Sequence, residues 1–235
     1  MRATMMTVPL STQLILEHGA ALHARSRVGT FDGQRFSFTD FAGVAERARR
    51  LAAALTGLGL EPGDRVATLC WNHQAHLEAY LAVPSAGFTL HTLNVRLFPA
   101  QLSAIMAHAD DRALIVDAAL LPMIAPSLGS MPRLRHVIVV GATGDVATGD
   151  VPSYEDLLAD ARADYRWPTL DESSGAVVCY TTGTTGAPKG VVYGHRSIFL
   201  HTLASLAVDT FGIREADRIL LMPAMFHANA WGLPY

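Results

Sequence analysis

The chain has 235 residues, half of them hydrophobic and 17% charged, with a formal net charge of −3. That balance suits a packed globular core and excludes a disordered chain. With no Lys/Arg-rich block it also carries no electrostatic footprint for nucleic acid. No apolar run reaches the length of a membrane span. The opening Met1-Arg2-Ala3-Thr4-Met5-Met6, soon interrupted by Ser11, Thr12 and Gln13, makes a poor signal peptide. The expected location is therefore cytoplasmic, with Cys70 and Cys179 as buried free thiols.

Leu10 to Ala24 reads as a short helix. Phe31-Asp32-Gly33-Gln34-Arg35-Phe36 reads as a hairpin with Asp-Gly at its turn. Thr39 is expected to cap the next helix. Its apolar positions Phe41, Val44, Ala48, Leu51, Leu55 and Leu58 recur every three or four residues, one face of a 3.6-residue helix. Arg47, Arg49 and Arg50 then fall on its exposed face, and Gly59 ends it. A strand is expected over Arg65–Trp71, a helix over Gln74–Gly87, a strand over Thr89–Leu93 and a helix from Pro99 to about His108. His73 and His76 lie one helical turn apart, which fits a solvated or partly buried face better than a metal pair without a third ligand. Asp110-Asp111 reads as a helix-to-strand turn.

Ala113–Val116 and His136–Val140 are continuous apolar runs, as in strands buried on both faces of a parallel sheet. The Gly/Thr/Asp-rich stretch 141–149 reads as a surface loop and a candidate subdomain boundary. Ser153 opens a short helix ending near Ala163, and polar residues 168–174 lead into a buried strand over Gly175–Tyr180. The alternation of strands and helices gives an α/β fold, helices layered on mostly parallel sheet.

That last strand runs directly into Thr181-Thr182-Gly183-Thr184-Thr185-Gly186-Ala187-Pro188-Lys189-Gly190. Glycines let backbone approach a ligand closely, a curled run of amides makes an anion nest, and the threonine hydroxyls and the Lys189 ammonium add donors and charge. These are the parts that hold a polyphosphate. The Walker pattern is not met, because Pro188 precedes Lys189 and Gly190 follows it. The dinucleotide pattern is not met either, because Gly57, Gly59 and Gly63 miss its spacing.

Residues 180–190 resemble the phosphate-binding signature of the adenylate-forming (AMP-binding) superfamily, which includes acyl-CoA synthetases, peptide-synthetase adenylation domains and luciferases. The continuation Pro-Lys-Gly-Val-Val-Tyr is most similar to fatty-acid–CoA ligases. Residues 222–235, Met-Pro-Ala-Met-Phe-His-Ala-Asn-Ala-Trp-Gly-Leu-Pro-Tyr, resemble that family's acyl-pocket motif, with Ala224 as an extra residue before Met225. A strand over Arg218–Leu221 is expected to feed this segment, with Trp231 one helical turn beyond His227. Aromatic residues around one imidazole suit an apolar ligand with a carboxylate. Trp71-Asn72-His73 and Asn94-Val95-Arg96-Leu97 extend the resemblance upstream; for Asn94 and Arg96 themselves, structural support is the expected role.

The resemblance implies ATP-dependent activation of a medium- or long-chain fatty acid to an acyl-adenylate, followed by transfer to coenzyme A. It places Thr181, Thr182, Gly183, Thr184, Thr185, Gly186 and Lys189 on the phosphates, with Thr181 nearest a Mg²⁺ ion. It makes Lys189 and His227 catalytic, and gives His227, Ala228 and Trp231 to the acyl substrate. It also implies that the chain is the N-terminal part of a large AMP-binding domain, lacking the downstream Tyr-Gly-x-Thr-Glu segment and the small C-terminal domain, and so is not competent alone. Peripheral membrane contact and a homodimer are compatible with it. Two alternatives stay open: an aryl- or other-acid-activating enzyme of the same superfamily, and a non-catalytic nucleotide-binding fragment.

Overall fold

The computed structural model describes residues 4–141, 151–181 and 188–235. The expected loop and boundary at 141–150 therefore lie outside the described residues but for Gly141 and Asp150's neighbour Val151. Helix α1 (Thr12–Leu22) is followed by the hairpin β1 (Arg27–Phe31) and β2 (Phe36–Asp40), closed by Asp32 Oδ1 accepting from the amides of Gln34 and Arg35. Helix α2 (Phe41–Gly57) is capped by Asp40, whose carboxylate accepts from the Gly43 amide at 2.8 Å; this replaces the expected Thr39 cap. At its far end Gly59 sits at φ +82°, and the Leu60 amide reaches back to the Leu55 carbonyl.

There follow β3 (Arg65–Leu69), α3 (Gln74–Ser85), β4 (Thr89–Thr92), α4 (Pro99–Ala109), β5 (Asp111–Asp117), α5 (Leu121–Leu128) and β6 (His136–Val140). The chain continues through α6 (Tyr154–Asp160), β7 (Gly175–Thr181), β8 (Lys189–Gly194) and α7 (His195–Ser205). Two helices, α5 and α7, had no expectation from the sequence. Arg218–Leu221, expected as a strand, has no regular secondary structure and pairs with no strand among the described residues. The Asp110-Asp111 turn is as expected: Asp110 caps α4 with left-handed backbone at φ 59°.

The main sheet has the order β6-β5-β3-β4-β7-β8; its first five strands are parallel and β8 is antiparallel to β7. Alternate residues face opposite cores, as strand geometry requires. Val66, Ala113, Ile115 and Ile138 pack with α1, α2, α3, α6 and α7. Ala67, Leu69, Leu114, Val116 and Val139 pack with α4 and α5. Helix α3 leads from β3 to its neighbour β4, whereas α4 leads from β4 back past β3 to β5. The loops after β3 and β4 therefore diverge to opposite faces, and a crevice opens at the carboxyl ends of these two strands. Ligand sites in open α/β sheets lie at such a switch point.

The interior on the α2 side contains one buried ionic network. Glu78 is fully buried and accepts from Arg47 Nε at 2.7 Å, Gln74 Nε2 at 2.7 Å and the Tyr154 hydroxyl at 2.7 Å. Arg47 also makes two bonds to Glu155. The sequence reading of Arg47 as a solvated surface residue is thus corrected: its guanidinium neutralises a carboxylate between three helices. Arg47→Met strands that charge, so chemical denaturation is expected to show a loss of about 3 kcal/mol.

Two buried histidines set an acid limit. Burial lowers His76 from the usual 6.5 to about 3 and His195 to about 4. The sequence reading had His76 partly exposed; it is fully buried. Both rings are neutral when folded and charge on unfolding below 6.5. Their contribution is full above pH 6.5 and is lost as pH falls. Between pH 5.5 and 4.5 the unfolding free energy is expected to drop by about 2–3 kcal/mol per pH unit, and by about half as much in His76→Gln, measured by denaturant titration at each pH.

Candidate active site

The loop after β3, Cys70-Trp71-Asn72-His73, is held by Asp117 at the end of β5. Asp117 accepts from the Trp71 amide and from His73 Nε2, both at 2.8 Å. His73 Nδ1 accepts from the His76 amide at 3.2 Å, capping α3. The ring proton of His73 is thereby assigned to Nε2. His76 donates from Nδ1 to the Trp71 carbonyl at 3.0 Å and accepts from Thr68 at Nε2 at 3.0 Å. Cys70, His73 and Asp117 bring their polar atoms within 4.8 Å, the one such trio among the described residues. Burial and the neighbouring Asp117 push the Cys70 thiol up. With protons on Sγ and Nε2, both facing acceptors, the trio is a hydrogen-bonded anchor for the loop; a metal on Nε2 would force the ring proton onto Nδ1 and undo the cap on α3.

Asn72 faces the opposite way. Its Nδ2 donates to the carbonyls of Leu221 (3.0 Å) and Pro223 (2.9 Å), and its Oδ1 accepts from the Met225 amide at 2.8 Å. The Tyr80 hydroxyl donates to the Met225 carbonyl, and Tyr235 in turn donates to the Tyr80 carbonyl at 3.2 Å. Met225 enters the core on the α3 side and Phe226 the core on the α4 side, so this dipeptide plugs the crevice. Phe226 meets Trp71 edge-on, with ring centroids 6.1 Å apart.

His227 and Ala228 follow at the surface, both exposed. Ala228–Gly232 forms a 3₁₀ turn with left-handed dihedrals, φ 44° to 59° for its four non-glycine residues, where the sequence spacing had suggested an ordinary helical turn. Such dihedrals cost roughly 1–2 kcal/mol per residue, so the turn depends on its anchors. Ala230 is fully buried, and Asn229 accepts from Thr92, at the end of β4, at 3.3 Å. Trp231 is 59% exposed.

Thr181 and Lys189 are register partners at the end of β7 and the start of β8, both exposed, and form the neck of the Thr/Gly loop. Because β7 is parallel to β4, this neck leaves the sheet at the same edge as Thr92, Asp117 and Trp71. Thr182, Gly183, Thr184, Thr185 and Gly186 lie outside the described residues. The neck is braced by Tyr180, whose hydroxyl bonds His108 Nδ1 at 2.6 Å and whose ring lies 5.1 Å from that of His91. His91 is fully buried and bonds both oxygens of Asp111 at 2.9 Å. A Cβ on Gly190 would lie 3.0 Å from the Tyr180 ring, a tight contact that the ring would have to shift to relieve.

The structure thus brings Thr181, Lys189 and the segment carrying His227, Ala228 and Trp231 to one edge of the sheet. Sequence reasoning missed Asn72, Asp117 and Tyr180 as their supports. Only the Trp-Asn pair directly after a strand hinted at the first.

The match to known proteins is extensive. The family model described as AMP-binding enzyme matches residues 16–234. The chain is 41% identical over 239 residues to the 3-methylmercaptopropionyl-CoA ligase of Ruegeria lacuscaerulensis, covering 100% of this chain and 44% of that protein. It is 43% identical over 237 residues to the long-chain-fatty-acid–CoA ligase of Thermus thermophilus, covering 99% and 42%. The solved structure of the anthranilate CoA ligase AuaEII in complex with anthranoyl-AMP superposes with a TM-score of 0.84 at 25% identity, covering 96% of this chain and 42% of that one. The chain thus spans less than half the length of these relatives, yet nearly all of it is matched: it belongs to the AMP-binding enzyme family.

Proposed function

We propose that the chain is the N-terminal, nucleotide- and acid-holding portion of an AMP-forming acid–thiol ligase. The observation that carries this reading is the convergence of the Thr181–Lys189 neck and the His227 segment on the crevice between β3 and β4, where β7 packs against the 228–232 turn. A carboxylate oxygen attacks the α-phosphorus of ATP, giving an acyl-adenylate and releasing pyrophosphate. The thiol of coenzyme A then attacks the acyl carbonyl and AMP leaves. The first step joins two anions, so charge neutralisation and positioning dominate. Lys189 supplies positive charge at the loop's neck. Thr181 offers a hard hydroxyl oxygen, which fits a Mg²⁺ ion held mainly through phosphate oxygens and water; such an ion would neutralise charge on the phosphates.

The acid is apolar. Residues 222–235 contain no Asp or Glu to pair an amino acid's ammonium, and carry Phe226, Trp231 and Tyr235 instead. The named activities of the relatives run from 3-methylmercaptopropionyl-CoA, medium-chain and long-chain fatty-acid ligases to a trans-cinnamate ligase, and the preferred reading is a medium- or long-chain fatty acid. Acid-dependent AMP release and CoA-thioester formation by the natural full-length protein test this, using 3-methylmercaptopropionate, octanoate, palmitate and benzoate. Octanoate or palmitate is expected to give the highest kcat/KM. Preference for benzoate shifts the reading to an aryl-acid ligase, and no acid-dependent turnover with any of them would sink it. Lys189→Ala is expected to raise the KM for ATP about 10- to 100-fold, the worth of a charge-assisted contact; an unchanged KM removes Lys189 from the phosphate site.

A further inference from the structure

We propose that Asn72 is a positioning residue that sets the acid site, acting through the backbone of residues 221–225; this rests on the acid-activating reading above. The Asn72 amide makes three of its four possible hydrogen bonds to this segment. Both hydrogens of Nδ2 go to carbonyls, Leu221 and Pro223, and Oδ1 takes the Met225 amide. This pattern also fixes which end of the amide is nitrogen, since an exchange of the two would set oxygen against two carbonyls. Among the described residues, the segment it grips has no pairing of its own to a strand. The side chain therefore replaces what a sheet ladder would supply.

Its own footing is rigid. The residues on either side, Trp71 and His73, are both bonded to Asp117, and the Trp71 carbonyl is bonded to buried His76. Two residues beyond the last bond to Asn72 stands His227. Its amide is turned back onto the Ala224 carbonyl at 2.9 Å, inside the span that Asn72 holds. The position of the imidazole, and the seating of Phe226 against Trp71, follow from where Asn72 places Met225. The Thr/Gly loop hangs from β7 and β8, whereas the side-chain hydrogen bonds of Asn72 among the described residues go to residues 221, 223 and 225. A clamp of this kind affects acid binding and leaves ATP binding alone.

The test uses the natural full-length protein with Asn72→Ala, Asn72→Asp and, as a control for lost stability, Tyr154→Phe, which removes a buried bond far from the crevice. Asn72→Ala is expected to raise the KM for the acid at least tenfold with the KM for ATP within twofold. Asn72→Asp should do no better, because it sets a carboxylate against two carbonyls. Tyr154→Phe should leave both KM values unchanged while lowering the melting temperature. Unchanged acid KM in the Asn72 variants, or equal rises for acid and ATP, overturns the proposal. Hydrogen exchange on the unmodified protein decides it without any variant. The Met225 amide is expected to be protected like those of α3, and exchange at the rate of an open loop overturns the clamp. If the unmodified protein activates no acid, the functional reading fails, and the exchange measurement still decides whether Asn72 holds the segment.

Discussion

Everything at the candidate site depends on the passage of α3 and α4 to opposite faces of one parallel sheet. A sheet buried on both sides must send its connections both ways, and where two neighbouring connections part, no helix covers the strand ends. That gap lies beyond β3 and β4. The chain fills it with a dipeptide rather than a helix: Met225 satisfies one core and Phe226 the other. The polar groups at the carboxyl ends of β4 and β5, Thr92 and Asp117, fix the neighbouring loops.

Much of the sheet was legible because its signal is local. Ile and Val runs such as His136–Val140 carry double-sided burial in their composition. Helix α2 carries its face in its spacing, and its start was misplaced by one residue at the cap: Thr39 and Asp40 are both good caps, and only geometry shows that the Asp40 carboxylate reaches the Gly43 amide. Helix α7 was missed because its burial is slight. Of its residues only His195 and Ile198 are buried, so periodicity had little to report. Arg218–Leu221 looked like a strand because it is a short apolar run, but a strand needs a neighbour and Leu221 is bonded by a side chain instead.

The candidate site was read from residue types, and its supports were not. A phosphate loop and an imidazole among aromatics are patterns of residue type. Asn72, Asp117 and Tyr180 act across 149, 46 and 72 positions of sequence respectively, through partners that no spacing announces. Arg47 shows the same blindness in the core: helical periodicity placed it among surface arginines, whereas its Glu78 partner arrives from another helix.

The hydrogen bonds from Asn72 and Tyr80 to residues 221–225 all go to main-chain atoms: two carbonyls and an amide for Asn72, and a carbonyl for Tyr80. Such a grip is blind to side-chain identity. Residues along this stretch can be exchanged without loosening the scaffold that presents them, provided that Met225 and Phe226 keep filling the two cores. Point substitutions can therefore alter the side chains that line the crevice while the main-chain bonds that hold the segment stay in place, so that stability and surface chemistry draw on different atoms of the same few residues.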